Sequence, residues 1–101
     1  MSYQLTSRKE MGYLFKRIGV DFRTDSDQGN CEDMLDFYIN DASSTVVSYL
    51  GQMYEATLLA GSNWVRIRAT WIACYYLSQS GGNPSLFYGR FQSIMEELEK
   101  A

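Results

Sequence analysis

The chain has 101 residues and a formal net charge of −3, and it contains no histidine. That length fits one domain, residues 1–101, large enough to bury roughly 60–65% of its unfolded surface. The acidic balance disfavours nucleic-acid binding as the main task, and the lack of histidine removes the commonest zinc sites and the usual Ser-His and Cys-His nucleophile systems.

The first ten residues lack the apolar region of a signal peptide, and no run approaches membrane-spanning length. A first helix is predicted over 7–18. Ser7 with Glu10 makes a capping box, Met11, Leu14, Phe15 and Ile18 form a stripe, and Lys16 and Arg17 suit the negative end of the dipole. Gly19 is a natural residue just past its end, while Gly12 inside it costs about 1 kcal/mol against Ala.

A loop follows, rich in acids that include Asp21, Asp25 and Asp27. An EF-hand register starting at Asp25 would put Asn30 where that loop wants Gly, so calcium binding is disfavoured. The acids read either as a solvated loop favouring the start of the next helix or as a docking surface for a basic partner.

The second helix is predicted over 31–54. Leu35, Ile39, Ala42, Val46, Tyr49 and Met53 recur at helical spacing, a stripe that needs partners along its whole length. Phe37, Val47 and Tyr54 lie off that stripe and Gly51 interrupts the other face, which suggests a second packed neighbour within the chain or from another subunit. Ala56 to Gly61 is expected to close this helix.

The third helix is predicted over 62–80, with Ser62 as N-cap. Trp64, Val65, Ile67, Trp71, Ile72, Cys74, Tyr75 and Tyr76 spread around its wheel, so it should be buried from several sides. Its two charges, Arg66 and Arg68, point to different sides. Each reads as a solvated rim residue, a partner for an acid within the fold, or a contact across a subunit interface.

The fourth helix is predicted over 84–100 from the Asn83-Pro84 start signal, with Phe87, Phe91, Ile94, Met95 and Leu98 as its core stripe. Glu96, Glu97 and Glu99 oppose the dipole at its end, which either frays or is ordered by a partner. The fold class is therefore all-α: a small bundle of about four helices with an acidic loop between the first two.

Little here suggests catalysis. The Gly81-Gly82-Asn83-Pro84 turn lacks the spacing and the lysine of a phosphate loop, and Cys74 among aromatics reads as a buried, inert thiol. Cys31 and Cys74 form no C-x-x-C pair and read as two reduced thiols of an intracellular protein. No cofactor is expected.

The run I-N-D-A-S-S-T-V-V-S-Y-L (Ile39 to Leu50) precedes the apolar helix W-V-R-I-R-A-T-W-I-A-C-Y-Y-L-S (Trp64 to Ser78), then G-G-N-P and a last amphipathic helix. This order resembles the small head–tail connector proteins of tailed bacteriophages, also called head-completion or neck adaptor proteins. The resemblance covers Ile39 to Leu98. It implies a non-enzymatic virion protein, made in the host cytoplasm and placed in the neck. Its copies would form a ring under the portal protein, dodecameric if they follow the portal's symmetry. The ring would extend the DNA channel, pass DNA without sequence-specific binding, and dock the next neck or tail protein. In such a ring Phe37, Val47, Gly51, Tyr54, Arg66, Arg68, Glu96, Glu97 and Glu99 are the candidates for subunit or partner contact. Connectors of this kind often reach the portal with a C-terminal arm. Here that arm would be Glu96 to Ala101, or the N-terminus would dock instead. Two other readings stand beside the ring: a small helical protein-binding module or regulator using its acidic loop, and a DNA-binding helical domain using Arg66, Arg68 and the Lys and Arg residues of the first helix.

Overall fold

The computed structural model describes residues 4–18, 31–81 and 85–100. Every element among them is an α-helix: α1 (Arg8–Arg17), α2 (Cys31–Leu50), α3 (Ala56–Ala60), α4 (Asn63–Gly81) and α5 (Ser85–Lys100). The acidic loop with Asp21, Asp25 and Asp27, and the Asn83-Pro84 start signal, lie outside the described residues.

The molecule is built around α4, which packs against all four of the other helices and shares its largest face with α2. The reason is its lack of a polar side. Val65, Ala69, Ile72, Ala73, Cys74 and Tyr75 are all buried, and a helix apolar around most of its circumference needs cover from several directions. On α5, Phe87, Ile94 and Leu98 are buried, with Phe91 and Met95 partly buried beside them. Phe87 joins three elements: its ring lies 5.1 Å from Phe15 of α1 and 5.9 Å, edge-on, from Trp71 of α4. Tyr75 and Phe91 stack at 4.1 Å between α4 and α5.

The start of α1 follows its local signal. Ser7 is extended (φ −142°, ψ 166°), and its hydroxyl accepts the Glu10 amide at 3.3 Å. Ahead of it, residues 4–7 form a strap across α2 and α4. Leu5 is 3% exposed, and its amide donates to Ser43 Oγ at 2.9 Å while Ser43 donates to the Ile39 carbonyl at 2.7 Å. Thr70 donates to the Arg66 carbonyl at 2.8 Å, so in the 2.6 Å contact between the Thr6 and Thr70 hydroxyls Thr6 is the donor. Arg8 grips Asp36 with two contacts, of 3.2 and 2.7 Å, at the half-exposed edge of the strap.

The second helix ends earlier than its stripe suggests. Leu35, Ile39, Ala42, Val46 and Leu50 are buried, but Met53 lies beyond the helix and is 55% exposed. Gly51 donates an i→i−4 bond to Val47 at 2.7 Å, and the amides of Met53 and Tyr54 then both turn back to the Leu50 carbonyl. A Cβ at position 51 would sit 2.6 Å from the Val47 carbonyl oxygen, so only glycine takes this close approach. The residues expected to close the second helix instead form a separate turn of helix, α3. Its anchor is Leu59, 4% exposed in the common core. The third predicted helix matches α4 closely: Ser62 accepts the Val65 amide at 3.3 Å.

Candidate protein-interaction surface

Where α2 stops and α3 turns, the core is left open at one corner. Leu50, Tyr54, Leu58, Leu59, Trp64 and Val65 line a largely apolar groove of about 470 Å³. Leu50, Leu59 and Val65 are its buried floor, while Tyr54, Leu58 and Trp64 form exposed walls. Ile67, one turn beyond Trp64 on α4, is also exposed and borders a smaller groove of about 160 Å³ shared with Tyr13 of α1. An apolar band thus runs from α3 along α4 to α1. Large exposed apolar side chains gathered this way mark a contact surface more than singly scattered ones do.

One wall is held in place by charge. The Arg68 guanidinium lies 3.8 Å from the centre of the Trp64 ring and also donates to the Trp64 carbonyl at 3.1 Å. Its Nε donates to Glu97 Oε2 at 2.6 Å, and Arg90 approaches the other oxygen of Glu97 at 3.3 Å. The hydrogen bond from Arg68, against a smaller opposing effect of burial, holds the Glu97 carboxyl below its usual range. A Trp fixed by a stacked, ion-paired arginine loses little side-chain freedom when a partner covers it.

The residues expected at an interface scatter over the molecule. Tyr54 lines the groove. Arg68 and Glu97 meet each other within the chain and act on the groove only through Trp64. Arg66 bonds Asn63 Oδ1 at 2.6 Å and stands 3.9 Å from Glu10. Val47 packs partly against the core, so a charge there would act on the fold. Gly51 has its local steric role. Glu96 and Glu99 are exposed on α5. Phe37 projects from α2, 65% exposed, with its ring edge-on to Tyr38 at 5.9 Å. The groove walls at Leu58 and Trp64, with Ile67 and Tyr13, were missed as contact residues. The all-round apolar pattern of the third helix carried the signal for Trp64 and Ile67, since such a helix exposes whatever its neighbours fail to reach.

No group of acids and cysteines among the described residues could hold a metal ion, and none of their helices is long and apolar enough to cross a membrane. Burial pushes the Cys74 thiol far above its usual range, which makes it a poor nucleophile. Comparison with protein-family models, with curated proteins and with solved structures gives no match for this chain.

Proposed function

We propose that the chain is a structural assembly subunit without catalytic activity, of the head–tail connector type found in the neck of tailed bacteriophages. Copies form a ring on a portal protein, extend its DNA channel and present a surface to the next neck or tail protein. The observation that carries the assembly part of this reading is the apolar band of Tyr54, Leu58, Trp64 and Ile67, which the chain leaves uncovered and partly pre-ordered. The connector part rests on the order of motifs from Ile39 to Leu98. The net charge of −3 suits a channel wall that DNA must pass without being held.

The test is the mass of the purified chain by light scattering, alone and mixed with an assembled portal. A ring-sized complex with the portal is expected. Absence of any association, alone at high concentration and with the portal, overturns the proposal. Recovery of a one-to-one complex with a single basic protein overturns it in favour of a binding module.

A further inference from the structure

Phe37 is the most exposed large apolar side chain among the described residues, and the groove at the α2–α3–α4 corner is a largely apolar recess of about 470 Å³. The two lie at opposite ends of α2 and on opposite sides of it. Phe37 and Leu50 are thirteen residues apart, which is about 20 Å along the helix axis and roughly 140° around it. One partner molecule docking on either feature leaves the other in water. A two-fold contact of groove against groove leaves Phe37 exposed in both copies.

We infer that the contact between copies is heterologous: Phe37 on the outer face of α2 in one copy enters the α2–α3–α4 groove of the next. This rests on the ring reading and specifies its joint. Both features are then covered in every copy except at an open end, and the repeat propagates as a ring or an open chain, the outcome that heterologous contacts generate. Sizes and neighbours agree. The recess of about 470 Å³ has room for an aromatic ring and its rim. Among the described side chains of α2, the exposed positions that follow Phe37 are Asp41, Ser44 and Ser48, short side chains that let the ring project. An aromatic side chain buries roughly 150–250 Å², well short of the roughly 1,200–2,000 Å² of a stable interface. The single joint is therefore weak in solution and gains strength from closure of the ring and from a template.

The joint predicts what two defective chains do together. Phe37→Asp loses the projection and keeps the groove. Leu58→Asp spoils the groove and keeps the projection. Both positions are about two-thirds exposed, at 65% and 64%, so both variants should fold. Isotope-labelled Phe37→Asp is titrated with unlabelled Leu58→Asp and followed by NMR at the Trp64 indole and the Val65 amide. Saturable shifts of those signals are expected, with a complex of two chains that grows no further, while each variant alone stays monomeric. Unshifted groove signals up to about 1 mM, or self-association of Phe37→Asp alone, overturn the joint. The two readings fail separately. If Phe37→Asp forms rings on a portal as the unchanged chain does, the joint is wrong and the ring stands. If the unchanged chain never assembles, the ring reading falls first.

Discussion

Two short segments cross the same pair of helices, and they finish the core in opposite ways. The strap of residues 4–7 crosses α2 and α4 at mid-length. It buries Leu5 and Thr6 and satisfies their polar groups through Ser43 and Thr70, hydroxyls placed inside the helices for that use. The 51–62 segment joins the end of α2 to the start of α4; among its described side chains it buries only Leu59 and leaves Met53, Tyr54 and Leu58 in solvent. The strap is fixed by hydrogen bonds that specify a position. The other segment is pinned at a single apolar point, with a groove beside it. Under the proposed assembly, a surface for another chain has to be left unfinished by its own, and the corner beside α3 is the part this chain leaves open.

The largest way to break the comparison is at the pin. Leu59→Ala removes the one buried side chain among those described on α3, and should cost about 2–3 kcal/mol, the lower part of the range for such truncations because a short helix can relax. Denaturant unfolding measures it. A loss below about 0.5 kcal/mol would show that the corner is held by something other than Leu59. At the strap, Ser43→Ala leaves the Leu5 amide buried without its acceptor, at an expected cost of about 1–2 kcal/mol. Hydrogen exchange at that amide should speed up by more than exchange at buried amides of α5.

How much of this was legible follows from which signals are local. The cap at Ser7, the stripe of Leu35, Ile39, Ala42 and Val46, and the central place of α4 come from neighbours in sequence, and all were readable. The end of α2 was not. Tyr49 and Met53 continue the spacing through it, while the chain turns at Gly51, where a Cβ would meet the Val47 carbonyl. The strap was also hidden. Ser43 and Thr70 are mid-helix polar residues whose partners lie 38 and 64 positions away, and nothing local announces such a pair. The groove depends on reach. Trp64 and Trp71 share a face of α4, yet only Trp71 is met by Phe87 of α5, so two tryptophans of like pattern end up with different exposure.

A smaller effect tests whether the groove wall is pre-ordered. Glu97→Gln should cost about 1 kcal/mol at pH 7, since Arg68 is mostly covered but Glu97 and Arg90 remain partly in water. The folded Glu97 pKa lies below its ordinary value of 4.5. Its stabilisation is therefore complete above that value and is lost as pH falls through the depressed folded one. The difference between the unchanged chain and the variant should hold at neutral pH and shrink on acidification below about pH 4.5. A difference that is flat with pH would mean that Arg68 draws no charge-dependent stability from Glu97.

The smallest expected effect on stability is also the sharpest probe of the open corner. Leu58→Asp places a charge on a side chain that already faces solvent, so unfolding should change by no more than about 0.5 kcal/mol. Leu59, one position on and buried, is the internal control. If both substitutions destabilise alike, α3 is ordinary core and the groove is a packing gap. If Leu58→Asp leaves folding unchanged and abolishes assembly, adjacent leucines serve different ends: Leu59 holds the corner to its own chain, and Leu58 offers it to another.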